Sequence, residues 1–191
     1  MKFATKAIHA GQKPDSGTGA VMTPIFQTST YAQEQPGKHQ GYAYSRTKNP
    51  TRSALEACLA SLENGKFATC FASGMAATDA VFRLLKPGDV VLTSTDIYGG
   101  SYRLFEQFFV PLGIRFKYVD LEQVESLDEY MEEGVKMVWA ESPSNPMLNL
   151  LDLRAIGNWC KKNQVLLAVD NTFASPFLQN PLDLEADIVM H

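Results

Sequence analysis

Hydrophobic and polar positions follow two regimes along the chain. Over residues 1–50 the order is irregular and rich in Gly, Pro, Gln and Thr, with one apolar patch, "TPIFQTSTYA". Such a stretch reads as an extended arm. It is too apolar for a free tail and is expected to pack on something, a partner subunit included. Beyond residue 50 the pattern turns periodic. In "NPTRSALEACLASLENG", Leu55, Cys58, Leu59 and Leu62 recur on one helical face, with Pro50 or Thr51 at the start and Gly65 as the stop. "FATCFA" then reads as a short buried strand and "SGMAATDAVFRLL" as a helix entered through Gly74. "KPGD" is a turn, "VVLTS" a strand, and "SYRLFEQFFVPLG" a helix closed by Pro111 and Gly113. "IRFKYVD" and "KMVWAES" are strands flanking the acidic helical stretch "VESLDEYMEE". "LDLRAIGNWCKKNQ" is amphipathic through Leu153, Ile156 and Cys160, and "VLLAVD" and "DIVMH" are two more strands.

Strands that are continuous apolar runs, alternating with helices, predict an α/β fold with a mostly parallel sheet flanked by helices on both faces. In such sheets ligands bind beyond the carboxyl ends of the strands. Polar residues at those ends are therefore the candidates. Asp170 closes the run 165–169, where an ionised carboxylate needs a partner such as a protonated ring nitrogen. Ser73, Gly74 and Met75 join a strand to a helix, where free backbone N–H groups attract an anion. Tyr98 precedes Gly99 and Gly100 and could stack on a planar ligand, with Arg103 a turn further on. Asn145 lies between Pro143 and Pro146, which stiffen its loop. Tyr44 and Arg46 precede a helix and offer a donor and a planar fork for phosphate or carboxylate. Taken singly, each of these also fits an ordinary turn or a surface side chain.

Composition narrows the classes of partner. A net charge of -4 gives no basic surface for nucleic acid or acidic membranes. No apolar run approaches the roughly 20 residues that span a bilayer, and the first twenty residues lack the apolar core of a signal peptide. Cys58, Cys70 and Cys160 stand far apart with no C-x-x-C pair, so reduced, buried thiols and a cytoplasmic setting are expected. His9, His39 and His191 have no metal-ligand spacing. No glycine fingerprint of a dinucleotide or P-loop site is present, which counts against a plain nucleotide-binding module.

"YSRTKNPTR", "SGM", "YGGSYRLF", "ESPSNP" and "DNTFASPFLQNPL", in this order, resemble the Cys/Met-metabolism enzymes that depend on pyridoxal phosphate. That family includes cystathionine γ-synthases, γ-lyases and β-lyases, methionine γ-lyases and O-acylhomoserine sulfhydrylases. The resemblance implies fold type I, the aspartate-aminotransferase-like fold, with pyridoxal 5'-phosphate as cofactor. It implies that Asp170 pairs with the pyridinium nitrogen, that Thr172 lies near the ring, and that Tyr98 stacks on it and assists proton transfer. Gly74 and Met75 would bind the cofactor phosphate, joined by Tyr44 and Arg46 from a neighbouring subunit. Asn145, and more loosely Arg103, would contact a small amino-acid substrate.

The resemblance thus divides the chain into an arm contacting a partner subunit (1–50) and a cofactor-binding large domain (51–191). It implies a homo-oligomer, a dimer of dimers with shared sites, that takes part in trans-sulfuration. "YGGSYRLF" looks most like the γ-synthases and γ-lyases; methionine γ-lyases usually carry Cys in place of Gly100. In the family an S-x-T-K motif follows "ADIVMH", and its lysine holds the cofactor covalently. No such motif occurs here, and Lys86, Lys161 and Lys162 sit in helical or turn contexts. The 191 residues are therefore expected to be an incomplete large domain, without the C-terminal domain and inactive alone. A non-catalytic protein that binds the cofactor is the alternative.

Overall fold

In the computed structural model, which describes all 191 residues, the chain forms two units, Met1–Cys70 and Phe71–His191. The first unit holds an element that the irregular composition hides, helix α1 (Phe3–His9). It lies against α2 (Pro50–Leu62), and the Lys6 ammonium donates to the Ser61 carbonyl and the Asn64 side chain, both at 3.0 Å. Gly11 allows the close approach that follows. Its φ is +75°, and a Cβ there would stand 2.5 Å from the Ala54 carbonyl oxygen.

Asn49 begins α2 by accepting from the Thr51 and Arg52 N–H groups, with Pro50 at the first helical position. The arm is also tied to this helix start. Phe26 N–H donates to Thr51 Oγ1 at 2.9 Å, and Asn49 Nδ2 donates to the Phe26 carbonyl at 2.9 Å. The arm is thus partly helical and packed on its own chain, yet Val21, Met22 and Ile25 stay exposed. The apolar face expected of α2 is not buried either: Leu55 is exposed and only Ala60 is fully covered.

"FATCFA" does not form a strand. Phe67 and Phe71 are exposed, and the Cys70 N–H is taken by the Glu56 carboxylate at 3.1 Å. An apolar run becomes a strand only where a neighbouring strand accepts its hydrogen bonds. Of the thiols only Cys160 is buried; Cys58 and Cys70 are half-buried.

The second unit contains α3 (Gly74–Phe82), β1 (Val90–Ser94), α4 (Gly99–Leu104), β2 (Arg115–Val119), β3 (Val135–Glu141), α5 (Leu153–Asn163), β4 (Leu166–Asp170), α6 (Ser175–Leu178) and β5 (Ile188–Met190). α4 begins two residues earlier than its periodicity suggests and runs into a π-helical turn, Phe105–Phe109. The acidic stretch is a 3₁₀ helix, Val124–Tyr130. α6 and a second 3₁₀ turn, Pro181–Leu184, have no counterpart in the periodic pattern.

All five strands are parallel, in the order β2-β1-β3-β4-β5. The apolar runs of β1, β3 and β4 are explained by burial on both faces. Val90, Leu92, Val138, Ala140, Leu167 and Val169 face Leu153, Ile156 and Trp159 of α5. On the other side Val91, Met137, Trp139 and Ala168 face Phe82 of α3 and the Phe105–Phe109 turn. Phe82 stands at the middle of that layer, 4.4 Å from the Phe105 ring centroid and 5.2 Å from that of Trp139.

After β1 the chain moves outward to β2, then returns to the other side of β1 as β3. The strand order therefore reverses between β1 and β3. A crevice at the carboxyl ends of these strands is the place where such sheets bind ligands. No helix is long and apolar enough to cross a membrane.

Candidate active site

The crevice opens into a cavity of about 390 Å³ within the second unit. Seven of the candidate residues singled out by the sequence line it: Ser73, Gly74, Met75, Tyr98, Asn145, Asp170 and Thr172. Each arrives by a separate local device. Asp170 is the last residue of β4, buried at 6% exposure, and accepts the Thr172 N–H at 3.0 Å. Its strand tip is fastened by buried Asn171, whose N–H donates to the Met190 carbonyl at 2.8 Å. The Asn171 amide also exchanges two hydrogen bonds with Gln179, each 2.9 Å long.

Gly74 and Met75 open α3. Ser73 Oγ caps this helix by accepting the Ala76 N–H at 3.2 Å, and Thr78 Oγ1 donates back to the Gly74 carbonyl. The Gly74 and Met75 N–H groups are left without an intrahelical acceptor, at the positive end of the helix dipole. That is a fit for an anion.

Tyr98 precedes α4, and its backbone N–H donates to Glu141 Oε2 at 2.7 Å. Its ring lies across Gly100, where a Cβ would stand 2.3 Å from Tyr98 Cε1. Asn145 belongs to a loop pinned by Asp96: the Ser144 hydroxyl donates to that carboxylate, and Asn149 Nδ2 reaches it at 3.3 Å. Ser142 Oγ accepts the Leu151 N–H at 3.0 Å and steadies the other limb of the loop.

Glu141 and Ser101 are among the wall residues that escaped the sequence reading. Glu141 ends β3 in register with Asp170 and is only 4% exposed. Burial pushes its carboxyl up to about 7; the neighbouring Asp170 and Asp96 add to the rise, against hydrogen bonds from the Tyr98 and Asn145 N–H groups. The signal for it was present in "KMVWAES", a strand ending in an acid just as "VLLAVD" does. Ser101, on α4, is 1% exposed, and its hydroxyl has no hydrogen-bond partner. Nothing in its sequence setting marked it out.

The remaining candidates lie elsewhere. Arg103 is exposed in the last turn of α4 and does not line the cavity. Tyr44 and Arg46 belong to the first unit, where the Arg46 guanidinium sits 5.3 Å from the centre of the Tyr44 ring.

The donor set fits pyridoxal phosphate. Free helix N–H groups suit its phosphate, a buried carboxylate suits its ring nitrogen, and an aromatic ring suits its face. No Lys or Arg lines the cavity, and neither Asp170 nor Glu141 forms an ion pair. A buried carboxylate without a cation is stabilised by a cationic ligand.

Fold and pocket together define the pyridoxal-phosphate-dependent fold of type I. A crystal structure of metB from Corynebacterium glutamicum matches with a TM-score of 0.96 at 43% identity, over 99% of this chain and 50% of that one. Cystathionine gamma-lyase from Lactobacillus plantarum, in complex with L-serine, matches at 0.95 and 42%, over 99% and 49%. The family model of the Cys/Met metabolism PLP-dependent enzymes matches residues 4–191, and the chain belongs to this family. A cystathionine beta-lyase of Coxiella burnetii is 53% identical over 188 residues, which are 98% of this chain and 49% of that protein. A probable cystathionine gamma-synthase of Herpetosiphon aurantiacus is 48% identical over 189 residues, 99% of this chain and 59% of that protein. The chain thus spans about half the length of most of the relatives it matches.

Proposed function

We propose that this chain forms the cofactor-binding part of a trans-sulfuration enzyme, of the cystathionine γ-synthase or γ-lyase type. Its reaction would be replacement or elimination of the γ-substituent of a small amino-acid substrate. The observation that carries the reading is Asp170, a buried carboxylate at a strand tip in a cavity with no cationic Lys or Arg on its wall. Bound pyridoxal phosphate supplies an electron sink for charge developing beside a substrate's α-carbon. Asp170 keeps the ring nitrogen protonated, which is what makes the sink effective. Gly74 and Met75 N–H groups hold the phosphate, and Tyr98 covers one ring face. Thr172 stands beside Asp170, and Asn145 orients the substrate carboxylate from its pinned loop.

Relatives named γ-synthase, γ-lyase and β-lyase match at similar identity, so overall likeness does not separate these reactions. The run "YGGSYRLF" favours the γ-types, and Gly100 gives that preference a physical side, because a side chain there would displace the Tyr98 ring. The alternative reading is a methionine γ-lyase or an O-acylhomoserine sulfhydrylase.

The cavity wall contains no lysine, so these 191 residues by themselves bind the cofactor without a covalent link and do not turn over substrate. Tyr44 and Arg46 serve the phosphate of a neighbouring subunit, which also accounts for the exposed Val21, Met22 and Ile25 of the arm. The working form is then a cytoplasmic homo-oligomer, and Arg103 at most brushes the substrate.

Titration with pyridoxal phosphate tests the reading. Loss of one charge-assisted hydrogen bond, about 1.5–3 kcal/mol, predicts that Asp170→Asn weakens affinity roughly tenfold to a hundredfold. An unchanged affinity in Asp170→Asn refutes it.

A further inference from the structure

Glu141 is a buried acid for which the proposed chemistry has no use. It ends β3 as Asp170 ends β4, and the two are register partners of parallel strands. Register partners in a parallel pair point to one face, and both side chains line the same cavity. They continue the face that carries Trp139 and Ala168 below them. Glu141 also accepts the Tyr98 N–H at 2.7 Å, so a single carboxylate touches the segment that carries the ring and adjoins the acid that faces it.

We propose that Glu141 is a positioning residue of this site, which ties the Tyr98 segment to the tip of β3 and shares with Asp170 the positive charge of the bound ring. The inference rests on the cofactor reading above.

Proton binding at the site is tied to this arrangement. The charged or titratable groups around Glu141 are Asp170 on β4, Asp96 after β1, Tyr98 at the start of α4, and His191 after β5 on the cavity wall. α3 contributes Gly74, Met75 and Thr78, none of them charged. Burial and the two Asp residues raise the Glu141 carboxyl to about 7 in the free protein. A cation placed beside it reverses that balance, and Glu141 gives up its proton as the ring enters. Its carboxylate then accepts the Tyr98 N–H as an anion, a stronger bond that fixes the ring segment more firmly.

The test compares wild type with Glu141→Gln, which preserves an oxygen acceptor for Tyr98 but cannot ionise. Affinity for pyridoxal phosphate is measured by calorimetry between about pH 5.5 and pH 8, in buffers of different ionisation heat, so that protons exchanged on binding are counted. The ratio of the two affinities cancels the ionisations of the ligand itself. That ratio is expected to rise about tenfold in favour of wild type across the range, which corresponds to a tenfold weaker hold of Glu141 on its proton once the ring is bound. Wild type should also release more protons than the variant near pH 6.5, by about half a proton per site. A ratio independent of pH, with equal proton counts, overturns the inference while leaving the cofactor reading intact. Absence of pyridoxal phosphate binding in wild type overturns both. Should Glu141→Gln fail to fold, the Glu141 carboxyl carbon resonance is followed in labelled wild type. Its titration midpoint must fall when the cofactor binds, and an unmoved midpoint overturns the inference equally.

Discussion

Replacing Gly100 by Ala separates the Tyr98 ring's work on the ligand from its work in the fold. A Cβ at position 100 would stand 2.3 Å from Tyr98 Cε1 and 3.0 Å from Cδ1 and Cζ. Contacts that short do not persist, so something must move. All three atoms belong to one side chain, and that side chain is 43% exposed. The ring therefore swings toward solvent and no buried group is disturbed. Folding should be little affected, because Ala is favoured over Gly by up to about 1 kcal/mol inside a helix, which offsets the lost contacts.

The cost falls on the ligand. An aromatic pair contributes about 0.5–1.5 kcal/mol beyond its buried area, so affinity for pyridoxal phosphate should drop about twofold to tenfold. Equilibrium titration with the cofactor measures the affinity, and urea denaturation measures the stability. Gly99→Ala is the matched control, since a Cβ there meets only the Arg103 guanidinium, at an ordinary 3.7 Å. It should leave affinity unchanged. In a Tyr98→Ala background Gly100→Ala should have no further effect. An undiminished affinity in Gly100→Ala, or an equal loss with the ring already removed, would mean that the Tyr98 ring does not cover the cofactor.

Three more outcomes are expected. Glu141 binds its proton more tightly folded than unfolded, so wild-type stability should decrease as pH rises from about 4.5 to about 7, by no more than roughly 3 kcal/mol, and level off above; Glu141→Gln should flatten this slope in urea melts at several pH values. Phe105→Ala, which removes a fully buried ring stacked 4.5 Å from Phe116, should cost about 3–5 kcal/mol in the same melts. If subunits share sites, mixing Arg46→Ala with Asp170→Ala protein should restore some high-affinity pyridoxal phosphate sites after subunit exchange, and no recovery would exclude sharing.

The second unit was legible because its inner strands β1, β3 and β4 are buried on both faces, a pattern that needs no knowledge of distant partners. "VVLTS" and "VLLAVD" lie in the sheet's interior and became strands within a residue of their apolar runs. "FATCFA" is also an apolar run but has no strand beside it, and pairing is not written in a run of six residues. α1 was hidden for a related reason. Its seven residues bury no side chain, so no apolar stripe announces it, and the contacts that hold it come from Lys6 and from α2, far along the chain.

The site shows the same limit at the scale of single residues. Asp170 could be read because a carboxylate closing an apolar run asks for a cation. Glu141 closes a similar run, yet its meaning depends on which strand lies next to β3, and only the parallel register with β4 makes the two acids neighbours. Once they are neighbours, the electrostatics follow. Two buried carboxylates on one face, with no Lys or Arg on the wall, cannot both be charged cheaply in the free protein. Burial and the neighbouring Asp170 and Asp96 raise the Glu141 carboxyl to about 7, against the N–H bonds it accepts, so near neutral pH it holds a proton about half the time. The pocket is therefore prepared for a cationic ring by the register of two strands.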